Sequence, residues 1–272
     1  ECKVVLLRGT VDAKDDYSII DRDKSADDVV LACCSKPTSD IVIRAKVIAE
    51  LSGVEQLTIP AKVKSVKLET PDILVLMLRL PPNSTFKYLP GQYIDLAYKG
   101  IVRSYSIANA PNVDGVIELH IRLYAVGIMS ELLFTGLVNN ELMRVNGPKG
   151  SFFVRKNSKS IAFIATGTGY APIKAMLEQL SEERSDRKIR FYWGNSDVES
   201  FYDFEWLQQL SCKLSNFKFE PVLKRPKDQW HGATGAVFES FIFDELDLGG
   251  FDIYLCGSPS MINSARDMLL AN

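Results

Sequence analysis

The sequence predicts a multi-domain chain of α+β and α/β character. An antiparallel six-stranded β-barrel is followed by a parallel-sheet α/β domain, with a short polar fragment in front. Three observations carry that prediction. The chain has 272 residues, 46% of them apolar, enough for two domains that each bury a core. Residues 57 to about 155 hold six short β-rich runs punctuated by Gly, Pro and Asn, the spacing of an antiparallel barrel or sandwich. After Ser158 the period changes, and apolar runs alternate with helical stretches. That is the pattern of βαβ units and a parallel sheet.

Residues 1–50 are turn-rich and carry Asp12, Asp15, Asp16, Asp21, Asp23, Asp27 and Asp28 between small apolar runs. So polar a piece is too small to bury a core alone. The barrel strands are expected at 61–68, 73–80, 92–97, 102–107, 116–124 and 142–146, with one helix at 130–137. The α/β strands are expected at 160–165, 189–193, 217–223 and 251–256. In the helix after the first of these, Ile173, Met176, Leu177 and Leu180 share one face at the 3.6-residue period. The domain boundaries that result are 1–50, 57–155 and 159–272.

Composition excludes several classes. A formal net charge of −2 gives no electrostatic case for nucleic acid as the main partner. No apolar run reaches the roughly 18–20 residues of a membrane span, since the longest strand-like stretch already contains Arg79. No signal peptide is seen, so a cytoplasmic location is expected. Both ends look cut: the chain enters a strand-like run at Val4 and stops at Asn272, directly after a helical pattern. His120 and His231 stand far apart in no metal-ligand spacing, against a zinc hydrolase.

Three short segments carry chemistry. The first is Ala165-Thr166-Gly167-Thr168-Gly169-Tyr170-Ala171-Pro172, between an apolar strand and an amphipathic helix. Two glycines let backbone approach a ligand, and the helix N-terminus offers free N–H groups to a pyrophosphate. Pro172 suits a first helical turn. A plain glycine turn joining strand to helix is the alternative. The second is Cys256-Gly257-Ser258-Pro259, with Ser258 as N-cap and Pro259 at the first helical position. Both lie at carboxyl ends of strands, where open α/β sheets bind ligands. Cys256 reads equally as a buried thiol. The third is Arg103-Ser104-Tyr105-Ser106 in the barrel: a cation for phosphate, an aromatic face and two hydroxyls. Taken alone, it reads as an ordinary alternating strand.

In that order and at those intervals, the three segments resemble the ferredoxin–NADP reductase superfamily of flavoprotein reductases. Pro90-Gly91-Gln92-Tyr93 fits the same pattern, and the resemblance covers residues 57–272. It implies an FAD-binding barrel and an NAD(P)H-binding α/β domain. Tyr105 would lie against the flavin, Ser106 near its N5 and Arg103 on the FAD pyrophosphate. Gly127-Ile128-Met129-Ser130 would supply a second phosphate contact, and His120 to Arg122 would line the FAD side. His120 can also be a paired strand histidine. Thr166 to Gly169 and Pro172 would hold the nicotinamide dinucleotide, with Cys256, Gly257, Ser258 and Pro259 beside the nicotinamide. The catalytic set implied is Ser106, Tyr105 and Cys256. Cofactor choice falls at Tyr192-Trp193-Gly194-Asn195-Ser196-Asp197, where Gly194 and Asn195 would touch the nucleotide. No arginine stands there to meet a 2′-phosphate and Asp197 and Glu199 would repel one, so NADH is expected.

Residues 1–50 resemble the carboxyl half of a plant-type [2Fe–2S] ferredoxin, around Cys2 and around Cys33-Cys34-Ser35. That likeness implies a partial ferredoxin-like domain with Cys2 and Cys33 as metal ligands and an incomplete ligand set. Cys34 and Cys212 carry no such role. The chemistry implied is oxidation of NADH through FAD and a [2Fe–2S] cluster to a protein acceptor. That acceptor is a dehydrase of dideoxysugar synthesis or an aromatic or alkane oxygenase component. A non-catalytic flavin- or nucleotide-binding regulatory subunit is the alternative of another class.

Overall fold

A computed structural model describes residues 3–13, 29–32, 34–45, 47–226, 230–245 and 247–271. The chain divides into two compact units, 1–53 and 54–272. The first holds β1 (Lys3–Arg8), β2 (Val11–Ala13), β3 (Val29–Leu31), β4 (Ser35–Pro37) and β5 (Val42–Arg44). β1 pairs antiparallel with β3 and β5, and β2 with β4. Among this unit's described residues Leu31 alone is buried, as its polar composition predicts. The Asp-rich stretch 15–28, and with it Cys2 and Cys33, lies outside the described residues.

The second unit begins with β6 (Leu57–Thr70), β7 (Ile73–Arg79), β8 (Tyr93–Tyr98), β9 (Ile101–Ser106) and β10 (Val116–Arg122). Helix α1 (Ile128–Gly136) and β11 (Leu142–Lys149) complete its barrel. These strands pair antiparallel in the order β10-β7-β6-β11-β8-β9, and an Ile107–Leu119 bridge brings the two edges together. β6 outruns the expected 61–68 because it serves two partners, β11 along its first half and β7 along its second. Alternation along β10 sorts its side chains onto two faces. Ile117, Leu119 and Ile121 are at most 1% exposed and fill the barrel. Glu118, His120 and Arg122 therefore point to the opposite face.

The rest of this unit is a parallel sheet with its helices. Its elements are β12 (Ser160–Thr166), α2 (Tyr170–Glu182), β13 (Ile189–Asn195), α3 (Phe204–Lys213) and β14 (Phe217–Leu223). Then come β15 (Ala233–Thr234), α4 (Val237–Asp244), β16 (Phe251–Cys256) and α5 (Pro259–Ala271). The strand order is β15-β14-β13-β12-β16, all parallel. Apolar clusters cover both faces, one built on Tyr170, Ile173 and Leu207, the other on Val237, Phe241 and Ala265. The chain winds outward from β12 to β15 and then crosses back to β16 on the other side. This reversal opens a crevice at the carboxyl ends of β12 and β16, where ligands of such sheets bind.

Candidate functional site

A cavity of about 1460 Å³ lies between the barrel and the carboxyl ends of the parallel strands. A single drug-sized ligand needs roughly 300–1,000 Å³, so there is room for more than one. On the barrel side, edge strand β9 contributes Arg103, Ser104, Tyr105 and Ser106. The exposed Arg103 guanidinium donates to the Val102 carbonyl (2.7 Å) and, among the described residues, pairs with no carboxylate. It is a fixed cation available to an anion. The Ser104 hydroxyl is engaged elsewhere, donating to Asp95 Oδ1 at 2.6 Å. Tyr105 packs on the barrel core, and burial pushes its phenol up to about 12. It presents an uncharged aromatic face.

Upstream, the Pro90-Gly91-Gln92-Tyr93 turn braces this wall. Gly91 sits at φ +102°, and a Cβ there would overlap the Phe152 carbonyl, so only glycine fits. The buried Gln92 accepts from Leu89 N and donates to Gly150 O, both at 2.8 Å. Gly127, Met129 and Ser130 at the start of α1 also line the cavity. The Ser130 hydroxyl donates back to Gly127 O (2.8 Å) and accepts from Tyr124 N (3.3 Å). The helix end is thereby shaped, with its first N–H groups facing a would-be phosphate.

On the other side, Thr166 ends β12 and Gly167, Thr168 and Gly169 follow it, while Cys256 ends β16 and Gly257 to Pro259 follow it. The two loops touch. A Cβ on Gly169 would overlap the Cys256 carbonyl, and one on Gly257 would overlap Thr166 Oγ1. Gly167 adopts φ +54° with Arg122 Nη1 2.8 Å from its would-be Cβ. Ser258 caps α5, its hydroxyl accepting from Met261 N (3.3 Å), as the sequence predicts. Burial pushes the Cys256 thiol up to about 11, so it stays neutral at physiological pH. Further along, Asn195 is 7% exposed and its Nδ2 has no partner. A buried donor left so is costly, and an acceptor on a bound ribose or adenine would satisfy it. The glycine cradle and this orphaned amide fit a dinucleotide; Arg103, Tyr105 and the α1 terminus fit a flavin dinucleotide.

Two family models match the second unit: "Oxidoreductase FAD-binding domain" over residues 60–154 and "Oxidoreductase NAD-binding domain" over 163–267. The CDP-6-deoxy-L-threo-D-glycero-4-hexulose-3-dehydrase reductase of Yersinia pseudotuberculosis is 41% identical, over 98% of this chain and 80% of its own. The phenol hydroxylase P5 protein of Acinetobacter pittii is 34% identical, over 99% and 78% respectively. The chain belongs to the ferredoxin reductase family. A cytochrome P450 reductase of Amycolatopsis superposes with a TM-score of 0.83 at 26% identity, over 99% of this chain and 83% of that one. As in that family, an FAD-binding barrel precedes an NAD-binding parallel sheet, and the protein is a flavoprotein reductase.

The reductase fold brings nearly all the expected site residues to one cavity, including Gly194, Asn195, His120 and Arg122. Two differ from expectation. Pro172 is buried in the first turn of α2 and does not line the cavity, whereas the neighbouring Ala171 does. His120 meets the cavity with its ring only: Nδ1 lies 2.8 Å from Tyr202 Oη and Nε2 2.7 Å from Glu118 Oε1. Its nitrogens are already partnered. The sequence reading missed Asp72, Lys224 and Val237, which also line the cavity. Asp72 lies in the β6–β7 turn and receives Arg122 Nε at 2.8 Å. Against its partial burial, the Thr70 hydroxyl and Arg122 hold the Asp72 carboxyl below its usual range. Lys224 N donates to Asn195 O (3.1 Å), which sets a cation at the β13 end of the crevice. Its place directly after the expected strand 217–223, at a strand's carboxyl end, was the available signal for Lys224; for Asp72 there was none.

Proposed function

We propose that this reductase oxidises NADH through FAD and delivers the electrons to a protein acceptor. The observation that carries it is one cavity holding the β9 segment, the α1 start, the glycine loop after β12 and the Cys256 loop. FAD, when bound, accepts a hydride from NADH and yields electrons singly. In this reading residues 57–155 hold FAD and residues 159–272 hold NADH. The Arg103 guanidinium and the first amides of α1 bind the FAD pyrophosphate. Tyr105 presents its neutral ring to the flavin, and Ser106 hydrogen-bonds at N5. The Gly167–Gly169 backbone cradles the NADH pyrophosphate. Asn195 takes the adenosine end, and the uncharged Cys256 thiol abuts the nicotinamide.

Residues 1–50 act in this reading as part of a [2Fe–2S] domain with Cys2 and Cys33 as ligands. Both lie outside the described residues, and among the described ones no group of three ligating side chains stands together. The cluster therefore rests on the sequence likeness alone. The acceptor proposed is a CDP-6-deoxy-hexulose-3-dehydrase of dideoxysugar synthesis, after the 41% identical relative. An oxygenase component is the second reading, favoured by the phenol hydroxylase relative at 34%. In this reading the reductase itself works in the cytoplasm; among the described residues no helix is long and apolar enough to cross a membrane.

The visible spectrum tests the core of this. Flavin bands that bleach within seconds of adding NADH support the reductase. Bound flavin that NADH does not bleach would leave a regulatory flavin-binding module. Steady-state rates with NADH and NADPH test the nucleotide: NADH is expected to win, and a preference for NADPH would assign Lys224 to a 2′-phosphate. Removing the Ser106 hydroxyl with Ser106→Ala is expected to slow flavin reduction about tenfold to a hundredfold, the scale of one lost hydrogen bond to a reacting centre, with FAD content retained. Stopped-flow reduction at the wild-type rate would reject that role for Ser106.

A further inference from the structure

Behind the barrel wall of the crevice lies a second cavity of about 310 Å³, lined among others by Glu118, His120, Lys174, Tyr202 and Asp203. His120 lines both cavities and its side chain is only 1% exposed. It comes from β10 of the barrel, yet its neighbours Tyr202 and Tyr170 belong to the nicotinamide side. The Tyr202 hydroxyl and Glu118 take its two nitrogens, and its ring lies against Tyr170 (centroids 5.9 Å) and edge-on to Tyr202 (5.3 Å).

The contact continues to the glycine loop. Tyr170 stacks on Trp193 at 4.3 Å, and Trp193 Nε1 donates to the Gly167 carbonyl at 2.9 Å. Tyr170 itself directly follows Gly169, and its hydroxyl donates to Asp203 Oδ2 (2.7 Å). An unbroken run of buried, close-packed rings thus joins β10 to the backbone that would carry the dinucleotide. Packed interiors hold such spacings with little slack.

We infer that His120 is a positioning residue: gripped by Glu118 and Tyr202, it sets the distance between the flavin wall and the glycine loop through Tyr170 and Trp193. This rests on the proposed passage of hydride across this crevice. The role comes from geometry, since neither ring nitrogen is free to meet a ligand. Hydride transfer is steep in donor–acceptor placement: a shift of about 1 Å can cost on the order of 100-fold. A bond between lobes is therefore a determinant of rate.

The FAD-loaded protein tests this with three variants. His120→Phe keeps the ring contact and drops both polar bonds, His120→Gln retains one donor and one acceptor, and Tyr202→Phe removes the partner on Nδ1. The limiting rate of flavin reduction at saturating NADH should fall about tenfold in His120→Phe and Tyr202→Phe. The dissociation constant for NADH should change less than twofold, and His120→Gln should restore most of the rate. In parallel, hydrogen–deuterium exchange of the amides of residues 167–176 should quicken in the Phe variants and return in Gln. Wild-type rates and exchange in His120→Phe would overturn the inference, as would a Gln variant as impaired as Phe. If NADH fails to reduce the wild-type flavin, the hydride reading falls while the exchange contrast still decides whether His120 holds the loop.

Discussion

Gly169→Ala should lower kcat/KM for NADH by at least about 100-fold, the penalty for displacing a bound reactant by roughly an ångström. The added methyl would overlap the Cys256 carbonyl carbon and oxygen, and its third neighbour is Gly257 N at 3.0 Å. All three are backbone atoms, so no side chain can swing aside. The glycine loop and the Cys256 loop must part, and both line the crevice. FAD, held by the barrel, should remain bound with its visible spectrum unchanged. Titration with NAD⁺ and stopped-flow reduction check the result. A variant that binds and reacts as wild type would show that the two loops need not touch for turnover.

Lys174→Met is expected to destabilise the fold by about 3–5 kcal/mol, the usual cost of removing one partner from a buried ion pair. Lys174 is 8% exposed. Its ammonium lies 3.3 Å from Glu118 and 2.5 Å from Glu178, and it also donates to the Ala108 carbonyl at 3.4 Å. Burial works against its charge, but Glu118 and Glu178 outweigh that and raise its pKa. Burial likewise opposes ionisation of Glu118, and the His120 bond and Lys174 overcome it, holding the carboxyl below its usual range. A carboxyl with a lowered folded pKa stabilises above its unfolded value and loses that contribution as the pH falls through the folded one. A raised lysine stabilises below its unfolded value and loses that contribution as the pH rises through the folded one. The pair is therefore fully stabilising from about pH 5 to pH 10. The variant's deficit in urea unfolding should be full at pH 7 and shrink at pH 4, where Glu118 can be protonated. A deficit under about 1 kcal/mol at pH 7, typical of an exposed pair, would contradict this account.

Most strands were legible because local chemistry suffices to mark them. β7 runs through Ile73, Leu74, Leu76 and Leu78, and β12 and most of β13 are buried on both faces because helices cover both. β15 escaped, since a two-residue strand exists only by pairing with Val222 and Leu223. The glycine turns that line the cavity were legible too, because glycine acts locally. What sequence could not disclose was convergence. Arg122 is expected on the FAD side, but nothing local shows that Asp72, fifty positions earlier, holds its Nε. His120 could be read as a ligand contact or a paired histidine. Only the arrival of Tyr202, eighty-two residues on, decides what its nitrogens do.

The Asp72–Arg122 bond bears on how tightly a cofactor can be held. A free arginine surrenders about 2 kcal/mol of rotamer freedom when a ligand immobilises it. Here the guanidinium is fastened through Nε while Nη1 stands beside Gly167. Its restriction is completed when the chain folds, before any dinucleotide arrives. Such prior ordering strengthens an encounter without adding a contact. It also makes Asp72, a carboxylate in the wall of an anion-binding crevice, an aid to anions by virtue of the cation it holds still.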